Sequence, residues 1–332
     1  LDRIRDQRLK DRVVTPEEAA SWIQSGMTLG LSGFTRAGDV KAVPFALVNR
    51  VKNDESFKVN VYTGASLGSD VDKLFAEAGI LGKRLPFQAD ATMRKGINNG
   101  DFLFVDQHLS HTAELLRADV LDIDFAILEA VAITEDGMII PTTSIGNSLA
   151  FSLNAKSIII EMNMAQSAQL EGLHDLYEPG KQGERLPIPL VKTDDRIGTI
   201  GIPIDPEKVK GIVFTNQLDS PSTIVPPDEE TVIMAQHLIE FLREEVKVGR
   251  LTNRLAPLQS GIGSVANAVL HGMLDSEFED LEVYSEVLQD AVFDLMDAGK
   301  VNFASCCSIT LSEEKMQQVF SNFEKYRDKL MM

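Results

Sequence analysis

The sequence has very little cysteine and tryptophan, and it has no long apolar run. Of its 332 residues, only 2 are Cys and 1 is Trp. The cysteines, Cys306 and Cys307, are adjacent, and neighbouring cysteines rarely bond to each other without strain, so a disulfide framework is excluded. Reduced thiols are typical of a cytoplasmic protein, which is the location we expect. No segment approaches the roughly 18 apolar residues of a membrane span, and no secretory signal is visible at the start.

Positive charge is also scarce. The chain has 32 basic and 50 acidic side chains, which gives a net charge of -18. Nucleic acid and anionic membrane surfaces repel such a chain, and no basic patch stands out, so we expect neither as a partner. Small anionic ligands stay compatible with this charge, because glycine turns and helix N-termini bind anions locally. The five histidines lack the spacing of metal ligands, so no metal site is expected.

Apolar runs alternate with helical patterns along the chain. The runs at 125–128 and 158–160 are typical of strands buried on both faces of a sheet. The segment 313–330 has its apolar residues on one helical face, which predicts a single helix packed on the core. The alternation of strands and helices predicts an α/β class with mostly parallel sheets.

Two segments indicate how the chain divides. The stretch 171–196 is polar and contains several Pro and Gly residues, which predicts a long surface excursion. Pro and Ser cluster again at 219–227, including Pro226, where we place the boundary between the domains. The sequence therefore predicts an N-terminal α/β domain at 1–222 and a second α/β domain at 223–332.

The segment Gly261–Ala266 matches the glycine pattern G-x-G-x-x-[GA]. Glycines permit a tight turn and close approach of a ligand, and the helix that follows favours negative charge. The pattern is open to three interpretations: a dinucleotide-binding turn, a purely structural turn, or a cradle for an anion or oxyanion. Pro257 makes the preceding segment a poor strand, which counts against the dinucleotide interpretation.

Glu286 is the carboxylate most suited to chemistry. It follows the predicted strand 281–284, and we expect it in the first turn of the next helix, with Ser285 as N-cap. Ligands of open α/β sheets bind at the carboxyl ends of strands. The helix dipole would keep the carboxylate of Glu286 ionised there, and thus available as a nucleophile.

The other acidic residues near Glu286 suggest a surface role. Nine acidic residues lie between 271 and 300, and Glu286, Asp290 and Asp294 have the spacing of one helix face. We interpret Asp290, Asp294 and Asp297 as a solvent-exposed face.

A second glycine-rich turn, Ser32–Gly38, follows an early predicted strand. Arg36 lies beside its glycines, so the turn is suited either to a phosphate-bearing group or to a structural connection. The residue pattern alone does not separate these two roles.

Four motifs together resemble those of the class I CoA-transferases, in the acetyl-CoA hydrolase/transferase branch. The motifs are Gly30–Thr35, Asp136–Gly137 with Ile140–Pro141, Leu258–Val269, and Tyr284–Asp290. The resemblance runs from about Val14 to the end, and its last two motifs are far more specific than the glycine pattern. It implies two similar open domains of the CoA-transferase type, a homodimer, acyl-CoA and small carboxylates as substrates, and no metal or permanently bound cofactor.

The resemblance also assigns roles to residues. It implies that Glu286 attacks the acyl-CoA thioester and that a glutamyl-CoA thioester forms. The residues it implies for CoA binding or oxyanion stabilisation are Gly261, Ile262, Gly263, Ser264, Val265 and Asn267. The candidate substrate or CoA loop consists of Ser32, Gly33, Phe34, Thr35 and Arg36.

The expected function is therefore acyl-CoA:carboxylate CoA transfer of the acetate or succinate type, by a ping-pong mechanism. An acetyl-CoA hydrolase on the same scaffold is the first alternative, and a nucleotide-binding α/β protein without transferase activity is the second. Proteins of this branch extend further than Met332 with another glycine-rich stretch, so we expect the second domain to be incomplete.

Overall fold

A computed structural model describes residues 2–222 and 227–332. Leu1 and residues 223–226, with Pro226 of the predicted boundary, lie outside the described residues. The first of two units comprises the residues up to Ile188 together with Gly198–Ser220. The second comprises Pro189–Ile197 and the residues from Pro221 onward, so part of the predicted surface excursion groups with the second unit.

The first unit contains a nine-stranded sheet. Seven strands are parallel in the order β4-β3-β2-β1-β5-β7-β9, and β6 and β8 continue antiparallel from the far half of β5. The strands are β1 Thr28–Leu31, β2 Val59–Thr63, β3 Leu81–Leu85, β4 Leu103–Phe104, β5 Ile123–Ile133, β6 Met138–Pro141, β7 Ala155–Asn163, β8 Ile202–Pro203 and β9 Val209–Thr215. The helices are α1 Pro16–Ser21, α2 Ala42–Val51, α3 Ser69–Ala78, α4 Ala91–Asn99, α5 Leu109–Arg117 and α6 Ser148–Asn154.

Both faces of this sheet are buried. Phe125 and Ile127 of β5 belong to one hydrophobic core, and Ala126 and Leu128 belong to another. Successive side chains of a strand point to opposite faces, which explains why the strand is a continuous apolar run. The sequence prediction of doubly buried strands in a mostly parallel sheet is confirmed.

In the described residues of the second unit there are two small parallel sheets. One has the order β10-β12-β14, and the other pairs β11 with β13. The strands are β10 Leu281–Tyr284, β11 Val287–Leu288, β12 Val301–Ser305, β13 Ser308–Ile309 and β14 Leu330–Met331. The helices are α7 Glu229–Lys247, α8 Ser264–Gly272, α9 Asp290–Asp297, α10 Glu313–Ser321 and α11 Glu324–Arg327.

The prediction of one helix over 313–330 is wrong. Helix α10 ends at Ser321, Asn322 leaves the helical conformation with φ -139° and ψ 43°, and the chain continues through α11 into β14. The apolar face is buried as predicted, because Val319, Phe323 and Tyr326 all lie in the core. Leu330 is also buried, but as a strand residue. The apolar residues with helical spacing are therefore buried as predicted, although the backbone that carries them is not one continuous helix.

Candidate active site

Glu286 lies in the bend between β10 and β11, where its side chain is exposed. Its carbonyl oxygen accepts hydrogen bonds from the backbone N–H groups of Cys307 (2.9 Å) and Ser308 (3.1 Å). Within the described part of the chain, the Glu286 carboxylate has neither an ion pair nor a hydrogen bond. A backbone held on both sides thus presents an unpaired carboxylate at the end of a parallel strand.

The helical position predicted for Glu286 is wrong. Helix α9 begins only at Asp290, because Val287 and Leu288 form a short strand against Ser308–Ile309. Both apolar side chains are buried, which favours the strand. Ser285 is not an N-cap, so the dipole of α9 does not act on Glu286 from an adjacent first turn.

Ser285 instead connects Glu286 to the turn Gly261–Ala266, which we call the glycine turn. Its hydroxyl donates to the carbonyl oxygen of Ser260 (2.8 Å) and accepts from the N–H of Ser260 (3.3 Å). Leu258 adds a parallel bridge to β10, since its N–H donates to Glu282 and its carbonyl accepts from Tyr284, both at 2.8 Å. The turn Gly261–Ala266 and Glu286, which the sequence analysis considered separately, are thus connected through Ser260 and Ser285.

The glycine turn opens helix α8. Gly263 is the N-cap with φ +136°, a conformation that strongly favours glycine, and an added Cβ at Gly261 or Gly263 would meet no atom within 4 Å. The N–H groups in the first turn of a helix have no intrahelical partner. Ser264 and Val265 are exposed at this turn. The N–H groups of such a helix start are chemically suited to an anion.

Apolar side chains flank the same turn. Ile262 and Val265 are 58% and 46% exposed, and both line a groove of about 640 Å³ together with Leu238 and Leu242 of α7. Asn267 lies on the buried side of α8, and its Oδ1 has no hydrogen-bond partner among the described residues. Asn267 thus faces the interior, while the other predicted residues of the turn face solvent.

The acidic residues after Glu286 bind neighbouring elements. Asp290 accepts from the backbone N–H of Ser312 (3.0 Å), and Asp294 pairs with Lys315 (2.6 Å). Asp297 accepts from the Tyr326 hydroxyl (2.9 Å). Asp297 is exposed, as predicted for a solvent-exposed face, whereas Asp290 and Asp294 are half-buried. All three also bind residues in or next to α10 and α11.

Cys307 lies beside Glu286, and its pKa is raised to about 11 by desolvation and then by the charge of Glu286. The residue is nevertheless exposed at the surface. Its thiol is therefore reachable but largely protonated at neutral pH.

The turn Ser32–Gly38 belongs to the first unit and follows β1. Thr35 and Arg36 at its tip have φ +50° and +73°, and Phe34 and Ala37 exchange backbone hydrogen bonds of 2.9 and 3.1 Å around them. The Ser32 hydroxyl donates to the carbonyl of Gly38 at 2.9 Å. The turn is a closed, ordered loop with the half-buried Thr35 and Arg36 at its tip.

A buried charged cluster that sequence reasoning missed lies directly beneath this turn. We call it the Lys41 cluster: Lys41, Asp39, Glu129 and Asp219. The Lys41 ammonium lies 2.6 Å from Glu129, 3.0 Å from Asp219 and 3.7 Å from Asp39, and every one of these side chains is at most 6% exposed. A signal for it existed, because Glu129 interrupts an apolar strand that is otherwise buried on both faces.

The cluster has more carboxylates than cations, and burial and mutual charge shift the pKa values of Glu129, Asp39 and Lys41. Burial raises the pKa of Glu129 to about 8, although the charge of Lys41 opposes this shift. Burial likewise raises the pKa of Asp39 to about 6. Burial alone would lower the pKa of Lys41, but the carboxylates of Glu129, Asp219 and Asp39 raise it well above its usual value.

Neither metal nor membrane features are found in the part of the chain that the structure describes. No group of three or more His, Cys, Asp or Glu side chains is arranged to hold a metal ion there. In the same residues, no helix has the length and apolarity to cross a membrane.

A solved structure shares this α/β fold. RipA from Yersinia pestis matches 95% of this chain and 66% of its own chain, with a TM-score of 0.69 and 18% sequence identity. The class defined by fold and site is thus an α/β protein of mostly parallel sheets, with a carboxylate after a strand end and a glycine turn linked to it by hydrogen bonds.

Sequence comparison identifies the family. Residues 2–214 match the model of the acetyl-CoA hydrolase/transferase N-terminal domain. The chain is 43% identical to succinyl-CoA:acetate CoA-transferase from Clostridium kluyveri, over 99% of this chain and 62% of that protein. It is 40% identical to acetyl-CoA hydrolase from Candida glabrata, over 100% of this chain and 65% of that protein. The chain therefore belongs to the acetyl-CoA hydrolase/transferase family, as its motifs predict, and it spans less than two thirds of the length of these two relatives.

A prediction about stability follows from the raised pKa of Glu129. Its folded pKa of about 8 lies above its ordinary value of 4.5, so the folded chain holds a proton that the unfolded chain loses as the pH rises. We expect the unfolding free energy of the wild type to fall between pH 5 and 8, by on the order of 1 kcal/mol, as the advantage of this proton is lost. Urea unfolding at pH 5, 6.5 and 8 measures this fall, and Glu129→Gln, which cannot ionise, should have a flatter profile. Equal pH profiles for the two proteins would contradict the assignment.

A second prediction, about the reactivity of the Cys307 thiol, follows from its raised pKa. A thiol with a pKa of about 11 has few thiolates at pH 8, so iodoacetamide should alkylate Cys307 roughly a hundredfold more slowly than an unperturbed thiol of pKa about 8.5. Glu286→Gln removes the neighbouring charge and should accelerate alkylation, as followed by peptide mass spectrometry over pH 7 to 10. Glu279→Gln, an exposed acid in the same segment, is the control and should leave the rate unchanged. An unaltered rate in Glu286→Gln would place its carboxylate away from the thiol.

Proposed function

We propose that the protein is an acyl-CoA:carboxylate CoA-transferase of the acetate or succinate type and that Glu286 is its covalent nucleophile. The observation that carries the proposal is the unpaired Glu286 carboxylate, connected through Ser285 and Ser260 to the exposed helix start at Gly261–Val265. Family membership supplies the substrate class, and the relative from Clostridium kluyveri is named for this reaction.

The proposed reaction proceeds in two halves. An oxygen of the Glu286 carboxylate attacks the thioester carbon, CoA thiolate leaves, and an acyl-glutamyl anhydride forms. The thiolate then attacks the glutamyl carbonyl, which releases the acyl carboxylate and leaves a glutamyl-CoA thioester. An incoming carboxylate such as acetate reverses these steps, so that CoA ends on the acceptor and Glu286 is regenerated.

The glycine turn is proposed to stabilise the charge that develops on the thioester oxygen. Each addition step puts negative charge on an oxygen, and N–H groups that are fixed in advance stabilise that charge without reorganisation. Loss of one such donor typically costs about 2.7–4 kcal/mol in the barrier. In this proposal the donors come from the backbone of Gly261, Ile262, Gly263, Ser264 and Val265, and the Ser32–Arg36 turn contributes to substrate binding.

Hydrolysis of acetyl-CoA is the second candidate, because the relative from Candida glabrata is named acetyl-CoA hydrolase. In a hydrolase, water would take the place of the acceptor carboxylate. Transfer is proposed first because the relative from Clostridium kluyveri, which is 43% identical to this chain, is named for that reaction. The proposal also includes a homodimer, a cytoplasmic location and no permanently bound cofactor.

The intact mass of the protein tests the covalent step. After brief exposure to acetyl-CoA or succinyl-CoA and acid quenching, the wild type should gain the mass of coenzyme A less one water, located on the peptide that contains Glu286. Glu286→Gln should lose the adduct, and its kcat should fall by on the order of a thousandfold or more, as expected for a lost covalent nucleophile. Glu279→Gln should behave like the wild type.

The same assay separates the two candidate functions. A transferase consumes acyl-CoA rapidly only when an acceptor carboxylate is present, whereas a hydrolase releases free CoA at the same rate without one. Transfer by Glu286→Gln at the wild-type rate would refute the nucleophile, and release of CoA that ignores added acetate would favour the hydrolase.

A further inference from the structure

The Lys41 cluster has no part in the proposed reaction, yet it is the most strongly charged buried site in the first unit among the described residues. Three carboxylates surround one ammonium there, and all are shielded from water. Replacing buried ion pairs by apolar side chains of similar volume is often neutral or stabilising. A contribution to folding stability therefore does not explain why these charges are buried together. The contacts that the cluster makes with the Ser32–Gly38 turn offer another explanation.

The cluster is bonded directly to the turn above it. The Oδ1 atom of Asp219 accepts from the N–H of Gly38 (3.1 Å) and from the Lys41 ammonium (3.0 Å). The N–H of Glu129 donates to the Ser32 hydroxyl (2.8 Å), which itself donates to Gly38. Both ends of the turn are thus attached to carboxylate residues that Lys41 holds.

The backbone of Lys41 is fixed as well. The carboxylate of Glu161, at the end of β7, accepts from the N–H groups of Lys41 (2.6 Å) and Val43 (2.7 Å) at the start of α2. The position of Lys41 is therefore fixed by its backbone hydrogen bond as well as by its side-chain contacts. The ammonium is held at a defined point, from which it fixes Asp219.

The turn needs such support because its tip is strained. Thr35 and Arg36 are consecutive left-handed residues, and neither is a glycine. Each such residue costs on the order of 1 kcal/mol or more and persists only where the surroundings over-determine it. Strained backbone of this kind is concentrated at ligand-binding loops. Arg36 has no carboxylate partner among the described residues, so its guanidinium is available to an anion.

We propose that Lys41 is a positioning residue which, through Asp219 and Gly38, holds the Thr35–Arg36 tip in the conformation that binds an anionic group of the substrate. The chemical class is a phosphate or carboxylate of the acyl-CoA or of the acceptor. This inference rests on the proposed function for the identity of the substrate, but not for the link between Lys41 and the turn.

Two variants and a matched control test the proposal. Lys41→Met removes the ammonium. Asp219→Asn keeps the side-chain shape while weakening the link to Lys41, and this second variant tests the proposal if Lys41→Met fails to fold. Arg84→Met is the control, because Arg84 is equally buried and pairs with Asp72 (2.9 Å) but makes no hydrogen bond to residues 32–38. Hydrogen exchange of a peptide covering residues 32–41, and kcat and KM for acyl-CoA, are measured on the full chain.

We expect this peptide to exchange about tenfold faster or more in Lys41→Met and Asp219→Asn, as for the loss of one hydrogen bond to a charged group. Their kcat/KM should fall by a similar factor, mainly through KM, while Arg84→Met loses stability without either change. Equal exchange in all three variants would overturn the proposal, and so would a loosened turn with unchanged kcat/KM. A wild type without transfer activity would instead refute the proposed function, and the exchange data would then decide alone whether Lys41 holds the turn.

Discussion

The chemistry proposed for the second unit depends on the pair of hydrogen bonds between Ser285 and Ser260. Ser285 precedes Glu286, and Ser260 precedes the glycine turn, so the pair sets the relation between a carboxylate and a row of backbone N–H groups. Such a hydrogen bond contributes only about 0.5–1.5 kcal/mol to stability. Its importance lies in geometry, because nucleophile and oxyanion donors must be held in place before the substrate arrives.

The arrangement of charge complements this geometry. In the proposed reaction a chain of net charge -18 binds anionic substrates. The acids around the site are largely paired with neighbouring elements, as Asp294 is with Lys315 and Asp290 with the N-terminus of α10. Glu286 differs from these residues, since it has no cationic partner in the described chain. In the first unit the reverse applies: the Lys41 cluster buries its charges, and the charge left unpaired near the turn is the cation of Arg36. An unpaired carboxylate and an unpaired guanidinium are thus each presented by a firmly held loop.

Much of the fold was predictable from the sequence, because doubly buried strands such as β5 need continuous apolar residues and turns need glycine. The glycine turn was recognisable from its glycine spacing, and Glu286 from its position directly after the strand β10. Local patterns failed where long-range contacts decide. Val287 and Leu288 form a strand only because Ser308–Ile309 lies beside them, which displaced Glu286 from the predicted helix. The Lys41 cluster joins residues from 39 to 219 along the chain, so the sequence signals only one member, Glu129, which interrupts an apolar strand.

A crystal structure of the protein with a non-cleavable acyl-CoA analogue tests the central claim most directly. We expect the acyl carbon to lie within roughly 3–3.5 Å of the Glu286 carboxylate. The adjacent oxygen should lie roughly 2.7–3.1 Å from a backbone N–H of the Gly261–Val265 turn. An analogue bound with its acyl carbon remote from Glu286, or with its oxygen in contact with no N–H of that turn, would contradict the claim.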